Sequence, residues 1–231
     1  MIAGQIAGQV RFKEKPPVFN RRIVLALLAL LALVPSAVAA APRKPLSEQD
    51  KADIGRAEAY MNGITTLKAR FQQFAPNGNV AEGTAYFWRP GRMRLQYDPP
   101  SPLLVVADGA FLFVHYRVLG VPSYLPLGST PAGVLVRENV QLNGKDLAVT
   151  RVTRAPGVLN IALVESDDPG QGELTLVFTE QPFALRQWRV LDAQGNTTTV
   201  SLFEAQSGIT LDSKLFEFKD PKFTKPRMND G

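Results

Sequence analysis

The side chains that could perform catalysis are sparse in this sequence. It contains one histidine, His115, and no cysteine, so a catalytic triad would have to use that histidine. No Gly-x-Ser-x-Gly nucleophile motif is present in the chain. A histidine between Val114 and Tyr116 in a predicted strand is more typical of a partly buried sheet residue than of a general base. The sequence therefore predicts no catalytic site and no enzyme.

The carboxylates show no pattern of a metal or nucleotide site. Asp167 and Asp168 are adjacent and precede Pro169 and Gly170, an arrangement that is typical of a turn. A zinc site would need the one histidine together with carboxylates, and these show no clustered spacing. The chain also lacks a P-loop and a glycine-rich nucleotide motif. The sequence therefore predicts neither a metal nor a cofactor.

The positive charge of the chain is concentrated near its N-terminus. The formal net charge is +5, but five of the 26 basic residues and one of the 21 acidic residues precede residue 40. The remaining chain is close to neutral, unlike a surface that binds a phosphate backbone. We therefore expect no nucleic-acid partner.

The N-terminal segment has the pattern of a secretory signal peptide. A pair of arginines precedes an apolar stretch at 23–34, and Pro35 interrupts it. The stretch is shorter than the roughly 20 residues that a membrane-spanning helix needs. We expect cleavage near Ala39, which divides the chain into an N-terminal extension with signal peptide at 1–39 and one domain at 40–231. An uncleaved anchor is the alternative if the alanine-rich end counts toward the span.

A helix is predicted at 48–65. Ser47 can cap its N-terminus, and Ile54, Ala57 and Met61 fall on one helical face. A helix with one apolar stripe must pack on another element, so we expect this helix to cover a sheet.

After this helix the pattern changes to about ten short strands joined by turns. The first half of this region is rich in large apolar residues on both faces, and a last short strand is predicted at 215–218. Short connections between successive strands indicate one strongly curved antiparallel sheet with helices on its concave side. The apolar strands of the first half are expected at 80–89, 93–97, 103–107 and 110–116.

A second and much shorter helix is predicted at 131–137, where Thr130 can cap a helix that begins with Pro131. It is too short to be stable alone and almost lacks polar residues. It must therefore cover an apolar surface, either permanently or as a lid. The lid side chains are Val134, Leu135 and Val136.

Arg89 ends the strand at 80–89 and has the same parity as Ala85 and Phe87. If Phe87 faces the concave side, the guanidinium does so too, and its donors could hold carbonyls at a helix C-terminus. A short apolar lid would need such a latch. The alternative is an ordinary residue at the rim of the sheet.

The apolar strands predict a hydrophobic hollow that the side chains of the sheet leave unfilled. Such a hollow would bind a lipidic ligand. The side chains expected to line it are Phe87, Leu95, Tyr97, Leu104, Val106, Phe111 and Phe113.

The order and spacing of these motifs resemble the LolA family of outer-membrane lipoprotein carriers. The similarity extends over essentially the whole chain after the signal peptide. The matching pieces are Phe71-Gln72-Gln73, Gly83 with Phe87 and Arg89-Pro90, Arg94 with Tyr97, Leu104-Val105-Val106, Asp108-Gly109, and Ser129-Thr130-Pro131.

The resemblance implies a periplasmic, monomeric carrier with an unclosed β-barrel covered by helices. Its hollow would take the acyl chains of lipoproteins that an ATP-driven transporter releases from the inner membrane, and the cargo would go to the outer membrane. The family's latch arginine corresponds to Arg89. A separate outer-membrane receptor is left open as a further partner. Two alternatives on a LolA-like fold are an envelope-stress sensor and a glycolipid-binding protein.

Overall fold

Eleven antiparallel strands form the main part of the structure, a computed structural model that describes residues 45–116 and 122–218. The predicted signal peptide and cleavage site lie outside the described residues. The strands are β1 (Thr66–Phe74), β2 (Val80–Trp88), β3 (Arg92–Tyr97), β4 (Leu103–Asp108), β5 (Phe111–Tyr116), β6 (Pro122–Pro126), β7 (Leu147–Ala155), β8 (Val158–Glu165), β9 (Gly172–Glu180), β10 (Phe183–Asp192) and β11 (Thr197–Ser207).

All of these strands belong to one sheet, in the order β6-β5-β4-β3-β2-β1-β11-β10-β9-β8-β7. Strand β1 lies in the middle, where it pairs with both β2 and β11. Strands β6 and β7 are the two edges within the described ranges, so the sheet does not close into a barrel. This confirms the predicted fold class, which is mainly β with a single antiparallel sheet.

The first helix, α1 (Glu48–Asn62), begins at a capping box between Ser47 and Asp50. The Ser47 hydroxyl accepts a hydrogen bond from the Asp50 N–H, and the Asp50 carboxylate accepts one from the Ser47 N–H. The predicted helix is therefore confirmed, although it ends three residues earlier than expected. Within the described ranges, neither this helix nor the shorter α2 (Pro131–Val136) is long and apolar enough to cross a bilayer.

Both helices pack on the same face of the sheet, which we call the inner face; the opposite one is the outer face. The buried apolar residues of α1 and α2 join one cluster with side chains from the strands. Tyr60 of α1, for example, makes an edge-to-face contact with Phe178 of β9 at 6.0 Å between ring centroids. The largest buried side chains of this core include Phe71, Met93, Leu176 and Phe178.

Ion pairs hold the N-terminal half of α1 against β7 and β9. Asp53 is 5% exposed, and its carboxylate accepts hydrogen bonds from Arg154 Nε at 2.7 Å and Arg56 Nη2 at 3.2 Å. Arg56 also pairs with Glu180 at 2.9 Å. A buried carboxylate is stable only when it is paired, so these ion pairs help to hold α1 in place on the sheet.

The C-terminal end of the described chain lies on the outer face. The predicted strand at 215–218 is wrong: the chain forms a 3₁₀ helix at Ser213–Phe216, with residues 217 and 218 beyond it. Phe216 is buried against Trp88, and Phe218 stacks on Phe113 at 4.9 Å between ring centroids. Arg94 Nη1 donates to the carbonyl of Leu215 at 3.0 Å. The segment thus covers apolar side chains of the outer face instead of extending the sheet.

Candidate functional site

The pairing of β2 with β3 brings three of the predicted cavity residues together on the inner face. Phe87 pairs with Met93, and Leu95 pairs with Ala85. Tyr97 follows Leu95 at a spacing of two, so it points to the same face. All of these side chains are buried in the core cluster beneath the helices.

The prediction is wrong for the other four cavity residues, which lie on the outer face. Val105, rather than Val106, pairs with the inner-face residue Leu95. Val106 pairs with Arg94 of β3 and Phe113 of β5. Because successive side chains alternate between faces, the assignment is reversed along both strands. The residues that lie on the outer face are Leu104, Val106, Phe111 and Phe113.

The true inner-face residues of β4 and β5 were missed because both faces of these strands are apolar. The outer face tolerates apolar residues where the C-terminal segment covers it, as the stacking of Phe218 on Phe113 shows. The pairing of Ala107 with Leu112 shows which residues of β4 and β5 share a face, but a register alone does not tell which face is the inner one. The residues that pack on the inner face are Val105, Ala107, Leu112 and Val114.

Helix α2 lies where the lid was predicted. The Thr130 hydroxyl caps it by accepting a hydrogen bond from the Gly133 N–H at 3.2 Å. The side chains of Val134, Leu135 and Val136 are all buried in the core cluster. A helix of six residues cannot be stable alone, so contacts with the inner face and with its neighbours must hold it in place.

Arg89 bonds to the C-terminal ends of both helices. Its Nε and Nη2 donate to the carbonyl oxygen of Leu135 at 3.1 and 2.9 Å, and its Nη1 donates to the carbonyl oxygen of Met61. Burial lowers the pKa of Arg89 to about 10, so the side chain remains a cation at neutral pH. A guanidinium placed against the carbonyl groups at helix C-termini is a favourable arrangement.

The turn after Arg89 also contacts the lid. The Gly91 N–H donates to the carbonyl oxygen of Val136 at 2.8 Å. Gly91 has a φ of +78°, and a Cβ at this position would lie 2.8 Å from Gly109 Cα. Glycine is therefore required both by the backbone conformation and by the close approach of the next turn.

The prediction of an unfilled hollow is wrong for this structure. Between α1, α2 and the sheet, the side chains leave a cavity of about 30 Å³, enough for one or two waters. Side chains of the helices occupy the rest, so a long apolar ligand would fit there only if a helix moved away. The cavity is lined by residues that include Tyr60, Met61, Leu67, Phe87, Arg89, Leu135 and Leu202.

A larger apolar crevice opens beside the first turn of α2. It has a volume of about 190 Å³ and lies between α2 and the strands β8, β9 and β10. It is continuous with the apolar face that α2 covers, because Val134 lines the crevice as well as belonging to the core. The other apolar residues that line it include Pro131, Leu147, Leu163, Leu174 and Val190.

Residues 62–219 match the protein family described as Outer membrane lipoprotein carrier protein LolA. The chain belongs to this family. The match covers every strand of the sheet, Arg89, α2 and the C-terminal 3₁₀ helix, whereas most of α1 precedes it. The resemblance expected from the motifs is therefore confirmed.

Individual members of the LolA family are similar over most of the chain. The Outer-membrane lipoprotein carrier protein of Legionella pneumophila (strain Paris) is 29% identical over 179 residues, which cover 71% of this chain and 84% of that protein. The protein of the same name from Nitrosomonas europaea is 25% identical over 213 residues, 87% of this chain and 96% of that one. A solved LolA superfamily protein from Nitrosomonas europaea is 11% identical with a TM-score of 0.43, covering 73% of this chain and 97% of that chain.

Gly133 sets how closely α2 packs on the turn before it. A Cβ at Gly133 would lie 2.4 Å from the carbonyl oxygen of Leu127, so we expect Gly133→Ala to push α2 away and weaken the hydrogen bond from Gly91 to Val136. Hydrogen exchange of the Gly91 amide should become about tenfold faster or more. Gly128→Ala is the matched control, because a Cβ there meets nothing within 4 Å. Equal exchange in both variants would contradict the prediction.

Proposed function

We propose that this LolA-family protein is a periplasmic carrier that binds the acyl chains of lipoproteins released from the inner membrane and delivers them to the outer membrane. The observation that supports this most directly is the apolar inner face closed by α2, which the single side chain of Arg89 fastens to α1. Arg89 is the proposed latch, and Phe87, Leu95 and Tyr97 are proposed to contact acyl chains when α2 opens.

A carrier of this kind must protect hydrocarbon from water and still surrender it. Each acyl methylene that is buried contributes about 0.8 kcal/mol, so bare acyl chains would cross water at a cost of tens of kcal/mol. In the closed arrangement, Val134, Leu135 and Val136 occupy the apolar surface that the acyl chains would use. Loading would therefore replace the apolar contacts of α2 by contacts with the acyl chains, and it would break the hydrogen bonds between Arg89 and α2. The closed state thus competes with the cargo for the same apolar surface.

The energy for loading is proposed to come from a partner. The sequence has no nucleotide motif, so an ATP-driven transporter in the inner membrane would have to supply the free energy of release. The signal-peptide pattern supports export to the periplasm, and with the proposed cleavage near Ala39 residues 40–231 would form the carrier. A separate receptor that accepts the cargo at the outer membrane would be a further partner in the same proposal.

Binding of a purified lipoprotein tests the function. We expect the mature protein to form a soluble complex with a triacylated lipoprotein, and not with the same lipoprotein lacking its acylated cysteine. Mass spectrometry of lipids and proteins that co-purify from the periplasm should identify acylated lipoproteins. Equal binding of the acylated and unacylated forms would overturn the proposal.

A further inference from the structure

The segment that follows α2 is attached to α1 by side-chain bonds that do not involve Arg89. The Asn62 side chain donates to the carbonyl oxygen of Val140 at 3.1 Å and accepts from the Val140 N–H at 2.8 Å. The Glu58 carboxylate accepts from the Leu142 N–H at 2.6 Å. Three main-chain groups downstream of the lid are thus satisfied by two residues of α1.

These two residues are spaced to work as a pair. Positions 58 and 62 are four apart, so they lie on one face of α1. The side chains of Val140 and Leu142 are 1% and 0% exposed, so removing their bonding partners would leave buried main-chain groups unsatisfied. Side chains of α1 thus bond main-chain groups of a segment that lies outside the helices and strands.

The connection between α2 and this anchored segment is held much more weakly. Glu138 and Asn139 are exposed. Arg137 forms an ion pair with Asp146 at 3.4 Å, in which the Asp146 side chain is 68% exposed, and such surface pairs contribute little. Tightly bonded chain therefore lies on both sides of three loosely held residues.

We propose that Glu58 and Asn62 are positioning residues that keep the downstream end of the lid docked on α1 while α2 opens about residues 137–139. This rests on the proposed function only in taking α2 as the element that opens. A tether of three residues keeps the open lid close to its closed position, which raises its effective concentration for closing. The anchor would thereby favour release of the acyl chains.

Hydrogen exchange in the lipid-free protein tests the location of the pivot. The Gly91 amide reports on the lid through its bond to Val136, and the amides of Val140 and Leu142 report on the anchor. In Arg89→Leu, we expect exchange of the Gly91 amide to be about tenfold faster or more, with the two anchor amides changed by less than about threefold. Equal acceleration of all three amides would overturn the proposal.

The wild-type protein provides the same test without a substitution. At low denaturant concentrations, the opening that lets the Gly91 amide exchange should depend only weakly on denaturant, because movement of α2 alone exposes little surface. The opening that exposes the amides of Val140 and Leu142 should depend on denaturant more strongly. A single common opening for all three amides would also overturn the proposal.

Variants of α1 distinguish positioning from simple packing. Glu58→Ala should accelerate exchange of the Leu142 amide about tenfold, whereas Glu58→Gln retains an acceptor oxygen and should restore slow exchange. Asn62→Ala should accelerate exchange at Val140 and slow release of a bound fluorescent fatty acid, while Lys51→Ala, at an exposed position of α1, should change neither. No rescue by Glu58→Gln, or unchanged release in Asn62→Ala, would count against the positioning role.

Failure of the wild-type protein to bind lipoprotein would remove the proposed function but leave the exchange results valid.

Discussion

Replacing Arg89 with leucine is expected to leave the sheet folded but to make the protein release acyl chains roughly 30-fold more slowly. In the closed arrangement, Arg89 donates to the carbonyl oxygen of Leu135 in α2 and to that of Met61 in α1, so opening of α2 would break the bonds to Leu135. Hydrogen bonds from a charged donor stabilise by about 1.5–3 kcal/mol, and a loss of about 2 kcal/mol from the closed state shifts the equilibrium roughly 30-fold toward the open state. In the proposed mechanism the open state binds cargo and closure of the lid displaces it, so apparent affinity should rise while release slows.

The measurement is the dissociation rate of a fluorescent fatty acid, or of an acylated lipoprotein, from each purified variant. Arg92→Leu is the matched control: Arg92 begins β3 directly after the same turn, and its guanidinium lies over the Trp88 ring, 5.0 Å from the ring centroid. Release from this control should match the wild-type rate. If Arg89→Leu released its ligand as quickly as Arg92→Leu does, Arg89 would not be the latch.

The fold could be predicted from the sequence because local signals agreed with one another. The cap at Ser47, the hairpin turn at Asp108 and the breaks at Pro90 and Gly91 all separated the elements where the structure has them. Such signals depend on backbone preferences of a few residues, which are visible without knowing the rest of the fold. The exception was the end of the chain, where Phe216 and Phe218 suggested a strand but pack across one.

The candidate site was only partly predictable. The alternation of side chains along the strand placed Phe87 and Arg89 on the same face. The structure agrees, because Val80–Trp88 alternates between buried and less buried residues. Parity could not orient Leu104 and Val106, because their neighbours are also apolar and the outer face is covered by a segment far along the chain. The filled interior was likewise unpredictable, since it depends on how the volumes of helix and sheet side chains combine.

Gly83→Ala should destabilise the protein by about 2–3 kcal/mol, as expected for overpacking a filled core. The ring of Phe71 lies across Gly83 on the neighbouring strand: a Cβ at position 83 would be 2.7 Å from the ring and 2.2 Å from the carbonyl oxygen of Gln96. Because this oxygen is a backbone atom of β3, the clash can be relieved only by moving β2 and β3 apart. The turn that joins these two strands contains Arg89 and Gly91, so the lid should loosen as well.

Urea unfolding followed by tryptophan fluorescence measures the loss, with Gly55→Ala as the matched control. Gly55 lies within α1, where an added Cβ meets nothing within 4 Å, so alanine there should stabilise the helix by about 0.5–1 kcal/mol. The two glycine-to-alanine changes are chemically identical and should shift the unfolding midpoint in opposite directions. A Gly83→Ala midpoint at or above that of the wild type would mean that the Phe71 ring does not need the open space over Gly83.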